Sequence, residues 1–483
     1  MNSQPASSPN AGSAVTNRVV QSAADEHRRI LVKGAYVVTM DPTVSDLPRG
    51  DVLVEGSRIT AVAPDLSAQG AENDAVVIDA AGYIVAPGLV DTHRHAWEAT
   101  LRRSIPDVND LGEYVVSTLS GVAPVLTPDD VYVGTRLAAL TALDSGITCM
   151  LDFAHNSRTS EHSDRAIAAL ADSGIRGVHA SMAPHFGEWE HQWPADLTRL
   201  RSTYFPTDDQ LLTLRVATLA TDEIAGPEIA YGPRLAAVAR ELGIGVSIDA
   251  VFGEPSSRAV VEWARQDILG PSTTLIHSTG LTADAWKAMG DTGATVSLAP
   301  TSDAQIGLET AVPAVDEALA AGIRPGLSID VEVALVSDMF TQMRALLAIQ
   351  RMRAVNAAYG KDVDVRRITA RDVLDFATLQ GARTNGLDHV TGSITPGKQA
   401  DLLLIDAEAV NNMPLNDAVG TIVLGTDPRN VRGVFVGGRV RKWDGKLVDV
   451  DVDALRRSVH ASRDEILDRA GAAAEALSVP GRA

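Results

Sequence analysis

The residues best suited to chemistry in this 483-residue chain are two histidines, His93 and His95, in the run Ala86-Pro87-Gly88-Leu89-Val90-Asp91-Thr92-His93-Arg94-His95. On a β-strand, residues i and i+2 face the same side, so both imidazoles point into one space and Arg94 points away. Two imidazoles aimed at a common point are donors that a borderline divalent metal such as zinc takes readily. Trp97 and Glu98 follow closely enough to line a pocket beside them. His155 ends another apolar run, Leu151-Asp152-Phe153-Ala154-His155. A third concentration is His179 followed by Pro184-His185-Phe186-Gly187-Glu188-Trp189-Glu190-His191-Gln192-Trp193, in a chain with only 4% aromatic residues. Such a loop reads either as a wall for a planar substrate or as packing under a long connection. Cys149 is the single cysteine, so no intrachain disulfide forms, and its apolar setting (Ile147 to Leu151) suits an inert buried thiol.

The elements that position these groups are legible as alternating segments. Apolar, strand-like runs occur at 86–91, 146–153, 174–181, 212–219, 243–250, 273–277, 293–299 and 323–330. Helical periodicity lies between several of them, at 163–173, 233–242, 256–268 and from Thr127-Pro128-Asp129-Asp130 onward. There Thr127 suits the N-cap, Pro128 the first turn, and the acids the positive end of the helix dipole. Eight such strands with intervening helices predict a (β/α)8 TIM barrel, whose active residues belong at the C-terminal strand ends.

Outside the barrel, short β-type runs cluster at both ends of the chain. Ile30-Leu31-Val32, Tyr36-Val37-Val38-Thr39, Val52-Leu53-Val54 and Ile59-Thr60-Ala61-Val62 precede it. Leu402-Leu403-Leu404-Ile405, Thr421-Ile422-Val423-Leu424 and the run Val431 to Val436 follow it. Neither block is large enough to bury a core alone, so the two ends are expected to pair into one small β-sandwich. The expected division is a flexible Ser/Ala/Asn/Pro-rich tail over 1–27, a composite sandwich from 28–85 and 392–450, the barrel over 86–391, and a C-terminal helix and tail over 451–483.

Composition narrows the partners. With 42 basic and 62 acidic residues the formal net charge is −20, which repels phosphate backbones and anionic membranes and favours solubility. A small molecule is therefore the expected partner, with neither nucleic acid nor membrane, in a cytoplasmic homo-oligomer. The first residues lack the apolar segment of a secretory signal.

The run Pro87-Gly88-Leu89-Val90-Asp91-Thr92-His93-Arg94-His95 resembles the first-strand motif of the amidohydrolase superfamily, and within it the cytosine deaminase-like, ATZ/TRZ group of aminohydrolases and chlorohydrolases. A second stretch, Asp375-Phe376-Ala377-Thr378-Leu379-Gln380-Gly381-Ala382-Arg383 continuing through Gly392-Ser393-Ile394-Thr395-Pro396-Gly397-Lys398-Gln399-Ala400-Asp401-Leu402, resembles the family's exit from barrel to terminal sheet. The likeness spans residues 28–450. It implies that His93 and His95 hold one divalent metal, that His277 is the sixth-strand histidine that polarises substrate or shuttles protons, and that Asp330 is the eighth-strand aspartate that touches the metal and takes a proton from water. These roles are chemically coherent, because a metal makes water more acidic, a carboxylate accepts its proton and a histidine steadies developing charge.

The chain departs from that pattern at the fifth strand. Gly245-Val246-Ser247-Ile248-Asp249-Ala250-Val251-Phe252 places Asp249 where the family has a metal-binding histidine, and Phe252 where many deaminases carry a substrate-holding glutamate. Asp249 could be an oxygen ligand, shifting preference from zinc toward manganese or iron. Alternatively the metal is weakly held or absent and the same groups do acid–base chemistry unaided, or Asp249 only caps the strand end. The expected site is therefore Asp330 and His277 as catalytic groups, His93, His95, Asp249 and Asp330 around the metal, and Trp97, Glu98, His155, His185 and Phe252 against the substrate. The expected reaction is hydrolysis of a C–N bond in a small cyclic or aromatic nitrogen compound. A decarboxylase, hydratase or lyase on the same scaffold, or a binding protein with a decayed site, are the alternatives.

Overall fold

The computed structural model describes residues 28–479 apart from 224, 225, 309 and 311; the expected tail over 1–27 lies outside the described residues. Five strands come first: β1 (Arg29–Val37), β2 (Leu47–Glu55), β3 (Arg58–Ala63), β4 (Val76–Asp79) and β5 (Tyr83–Pro87). Eight parallel strands follow: β6 (Leu89–Arg94), β7 (Ile147–Ala154), β8 (Arg176–Ser181), β9 (Leu212–Leu219), β10 (Gly245–Asp249), β11 (Thr273–Ile276), β12 (Thr295–Leu298) and β13 (Gly326–Leu327). They pair in chain order from β6 to β13. An isolated parallel bridge between Arg94 and Asp330 joins the last strand to the first, and so brings the barrel to near closure. The chain then returns through β14 (Leu402–Asp406), β15 (Val431–Val436), β16 (Arg439–Trp443) and β17 (Lys446–Leu447).

The terminal strands build a separate sheet in the order β17-β16-β15-β14-β5-β1-β2-β3, with β4 also paired to β1. Side-chain alternation explains how it serves two cores. Val85, Leu402, Leu404 and Phe435 pack with Ile30, Val52 and Val54 in the small domain. Their neighbours Ile84, Ala86, Leu403, Ile405, Val434 and Val436 join the barrel core instead. Buried Arg176, whose guanidinium holds both oxygens of Asp401 at 2.7 and 3.0 Å, ties β8 to the start of β14.

Two local outcomes refine the expectations. The run near 86–91 is divided: Tyr83–Pro87 belongs to the terminal sheet and the barrel strand begins at Leu89. Gly88 is the joint, where an added Cβ would lie 1.9 Å from Thr148 Oγ1. The expected strand Thr421-Ile422-Val423-Leu424 is instead a wide helical turn over Thr421–Gly425. Asp417 caps the helical segment before it, and Ile422 and Val423 turn into the barrel core, so tertiary packing overrides the β-propensity of the run. The helix Pro128–Asp144 starts at Thr127 in a reciprocal capping box with Asp130. No helix among the described residues is long and apolar enough to cross a membrane.

Candidate active site

The seam that closes the barrel is also where the chemistry-bearing residues meet. The Asp330 amide donates to the His93 carbonyl at 2.9 Å, and the His95 amide donates to the Asp330 carbonyl at 3.2 Å. This backbone exchange leaves both imidazoles aimed at one carboxylate: His93 Nε2 and His95 Nε2 each lie 3.0 Å from Asp330 Oδ1. His277 follows β11 and brings its Nε2 to 3.5 Å from Asp330 Oδ2. Ser302 Oγ donates to that same oxygen.

Backbone strain is concentrated here. His277, Ser278 and Asp330 all take left-handed φ values, 61°, 57° and 73°, which cost L-residues about 1–2 kcal/mol each. Such conformations persist only where the surroundings dictate them, and they cluster at functional sites.

The electrostatics divide the imidazoles by role. Burial pushes His93 down to about 4, leaving it neutral and able to donate a lone pair. Burial also opposes charge on His277, but the Asp330, Asp303 and Asp249 carboxylates around it raise it to about 10. Its Nδ1 donates to Asp303 Oδ1 at 2.8 Å, while Nε2 faces Asp330 and, at 3.9 Å, Asp249 Oδ1. Burial works against ionisation of Asp330 as well, yet His277, with His93 and His95, holds it well below the usual carboxylate range.

His93 Nε2 and Asp330 Oδ1 are buried 3.0 Å apart but are not aligned as a hydrogen bond, and neither atom completes one elsewhere. Ligand atoms of His93, His277 and Asp330 lie within 4.8 Å of one another. The neutral His93 imidazole and the Asp330 carboxylate, each with a buried atom that has no hydrogen bond, are donors that a divalent cation satisfies, so His93 and Asp330 fit a metal site.

A cavity of about 40 Å³ opens beside this cluster. Asp249, the last residue of β10, lines it with His155 and His185. The Nδ1 atoms of these two histidines are 3.1 Å apart. Burial drives His155 well below its ordinary range and His185 to about 3, so the pair is neutral. His155 packs against His95, ring centroids 4.2 Å apart.

Other expected substrate contacts fall elsewhere. Trp97 is buried against the far side of His155, at 5.5 Å between ring centroids, and lines a different, smaller cavity. Glu98 lies behind the wall, accepting from Tyr114 Oη at 2.7 Å and from the Glu332 amide at 3.0 Å. Phe252 takes a left-handed φ of 67° at the start of helix Gly253–Arg265 and packs on the apolar cluster that includes Leu119, Ile306 and Leu308 of the cavity wall, without itself lining the cavity. The aromatic loop is divided too: His185 reaches the cavity, whereas Trp189, His191 and Trp193 line an outer groove with Glu228 and Arg234. His179 is buried in β8, 3.4 Å from Asp152. Arg94 is fully buried and paired with Glu332 at 2.6 Å, which makes it part of the scaffold.

Sequence reasoning missed Asp303 and Tyr114. Asp303 sits just beyond β12, so the strand-end rule could have found it. Tyr114 follows no strand, and its place in the cavity wall has no local signature.

A model of the amidohydrolase family matches residues 84–441 of this chain. A 5'-deoxyadenosine deaminase from Methanosarcina mazei is 26% identical, covering 91% of this chain and 99% of its own. A 5-methylthioadenosine/S-adenosylhomocysteine deaminase from Symbiobacterium thermophilum is 29% identical over 85% of this chain and 93% of its own. Among solved structures, an adenosine deaminase from Xanthomonas campestris with bound zinc has a TM-score of 0.77 at 22% identity, over 91% of this chain and 98% of that one. An atrazine chlorohydrolase from Arthrobacter aurescens complexed with zinc has a TM-score of 0.74 at 20% identity, over 90% and 100%.

Proposed function

Because the chain belongs to the amidohydrolase family, we propose that it is a hydrolytic deaminase that releases ammonia from an amino-substituted heteroaromatic ring of the adenine nucleoside type. The observation that carries this reading is the convergence of His93, His95 and His277 on the ionised Asp330 carboxylate at the barrel seam. The names of the deaminase relatives support the substrate class.

In this reading His93, His95 and Asp330 hold a divalent metal, with zinc favoured by the zinc-bearing structural neighbours. A divalent metal bound there supplies a more acidic water and polarisation of the reacting carbon. Asp330 accepts a proton from the attacking water, its basicity restrained by His277 so that the proton can be passed on. His277, charged and fixed through Nδ1 by Asp303, steadies negative charge developing on the substrate. The proton taken by Asp330 then leaves with the amine as ammonia. Asp249, which ends β10 and lines the same cavity, would serve as a further oxygen donor in place of the family's fifth-strand histidine.

The cavity of about 40 Å³ is far below the roughly 300 Å³ at which small-molecule pockets begin. Substrate entry therefore requires a lining segment to move. Leu111, Tyr114, Val115 and Leu119 line the cavity from the short helix Leu111–Tyr114 and the wide helical turns Val115–Val122.

Purified protein incubated with 5'-deoxyadenosine, S-adenosylhomocysteine and adenosine should release one ammonia per substrate consumed and carry about one equivalent of divalent metal. Absence of ammonia across this panel would sink the reading. Asp249→Ala should lower metal occupancy, and Asp249→His should restore it; equal metal content in all three proteins would remove Asp249 from the ligand set.

Asp303→Asn offers a second check. It leaves a hydrogen-bond acceptor for His277 Nδ1 but removes the charge that holds the imidazolium. We expect kcat to fall about 10–100-fold, as for other groups that orient an active-site histidine. Unchanged kcat would assign Asp303 a purely structural role.

A further inference from the structure

The two carboxylate oxygens of Asp330 have different surroundings. Oδ1 faces His93 Nε2 and His95 Nε2, each at 3.0 Å, and completes no hydrogen bond. Oδ2 faces His277 Nε2 at 3.5 Å and accepts from Ser302 Oγ. A carboxylate turns broadly about its last side-chain bond, with no sharp rotamer to hold its plane. Among the described residues the Ser302 hydroxyl is the one hydrogen-bond donor to this carboxylate. It is therefore the contact that decides which oxygen meets the histidine pair and which meets His277.

Ser302 is itself firmly placed. It ends the short helix Pro300–Ser302 just beyond β12 and is buried. Its neighbour Thr301 exchanges hydrogen bonds with buried Gln342 of the helix Met339–Ala358. The Thr301 amide donates to Gln342 Oε1 at 3.2 Å, and Gln342 Nε2 donates to Thr301 Oγ1 at 2.7 Å. On the other side, the Asp303 amide donates to the Ala299 carbonyl at 2.9 Å, and the Asp303 carboxylate accepts from His277 Nδ1 at 2.8 Å. Two consecutive residues thus hold the two catalytic groups, Ser302 the carboxylate and Asp303 the imidazole. One short piece of backbone sets the distance between them.

We propose that Ser302 is the positioning residue for Asp330: its hydroxyl holds Oδ2 beside His277 and thereby keeps Oδ1 turned toward His93 and His95. The effect on rate rests on the deaminase reading above; the effect on geometry does not. With the hydroxyl in place the carboxylate meets the attacking water in one orientation, and the charge on His277 stays beside it. Without the hydroxyl the carboxylate is free to turn. Ser302 also lines the cavity, so a direct hold on substrate is the competing role. Kinetics separate the two, because a group acting through Asp330 lowers kcat whereas one that only binds substrate raises KM.

The test compares wild type, Ser302→Ala and Ser302→Thr, with 5'-deoxyadenosine as substrate and ammonia as readout. Ser302→Ala should lower kcat about 10–100-fold, as for other groups that orient an active-site residue, with KM within about threefold and unchanged metal content. Ser302→Thr keeps the hydroxyl and should recover most of that loss. A crystal structure of Ser302→Ala should show the Asp330 carboxylate turned from its wild-type plane, with the 3.5 Å approach of Oδ2 to His277 lost. A kcat within about twofold of wild type, a change confined to KM, or an unmoved carboxylate overturns the proposal. So does a folded Ser302→Thr no faster than Ser302→Ala. Should Ser302→Ala fail to fold, as judged by its melting transition, Gln342→Met decides in its place. That variant releases the segment through Thr301, and an unchanged kcat is again fatal. A wild-type protein inactive on the whole nucleoside panel would defeat the deaminase reading and leave the crystal structure to judge the inference. An active wild type with an indifferent Ser302→Ala would defeat only the inference.

Discussion

Asp330→Asn should lower kcat/KM by about 10³-fold or more while the protein still folds, because the variant removes both a proton acceptor and a metal-site charge. The amide keeps the shape of the carboxylate and can still accept from Ser302, so the left-handed turn at φ 73° is not disturbed. What disappears is the one anion on which His93, His95 and His277 converge at 3.0, 3.0 and 3.5 Å. An amide oxygen is too weak a base to take a proton from water near neutral pH. The charge on His277 then also loses its strongest partner, since Asp330 is the foremost of the groups that raise it against burial. Steady-state ammonia release, with circular dichroism and metal analysis on the same preparation, makes the measurement. Activity within tenfold of wild type in a folded, metal-loaded variant would mean that another group accepts the proton.

The second large effect falls on stability. Glu332 is fully buried and accepts from Arg94, Arg102 and Ser337 at 2.7, 2.7 and 2.6 Å. Glu332→Gln leaves Arg94 buried with Asp91, 3.5 Å away, as its remaining carboxylate partner among the described residues. Removing one member of such a cluster costs about 3–5 kcal/mol, because the remaining charge has no water to return to. A fall in the thermal and urea midpoints of that order is therefore expected, and a change below about 1 kcal/mol would show that the guanidinium groups find other partners.

The pH dependence provides a sign check on the same residue. Burial would raise the Glu332 pKa, but Arg102 and Arg94 hold it well below the usual carboxylate value of 4.5. A depressed folded-state pKa stabilises the protein above the unfolded value and loses that contribution as pH falls through the folded one. The wild-type advantage over Glu332→Gln should accordingly be full near neutrality and shrink as the pH drops below about 4.

The cluster around Glu332 bears on function as well as stability. It anchors the backbone two residues beyond Asp330, receives Arg94 from between the two metal-site histidines, and supports Glu98 behind Tyr114. Arg94 therefore reads naturally as scaffold, since the strand alternation that aims His93 and His95 inward sends Arg94 to the opposite side. That much follows from spacing alone.

Legibility varied with the range of the interaction. The eight barrel strands could be located because each is a local apolar run between helical segments. Thr127 announced its helix because capping is decided within four residues. The strand expected at Thr421 to Leu424 failed for the opposite reason. Its residues favour a strand, but the segment is fixed by a cap at Asp417 and by the core it meets, and neither is encoded in the run itself. Trp97 and Glu98 were expected at the substrate from nearness in sequence and Phe252 from the position of the family's glutamate, whereas one residue's rotation along a turn is enough to put a side chain behind the wall instead of on it.

The sequence by itself determined the barrel, the inward-facing pair His93 and His95, and the strand ends that carry Asp249, His277 and Asp330, because periodicity and strand-end position are properties of neighbouring residues. Only the tertiary structure decided that Asp330 closes the barrel against His93, that Asp303 fixes His277, and that Glu98 holds Tyr114 in the cavity wall. Those pairings join residues 16 to more than 200 positions apart. Their geometry is set by strand register, left-handed turns and burial, and these come into being only when the barrel closes.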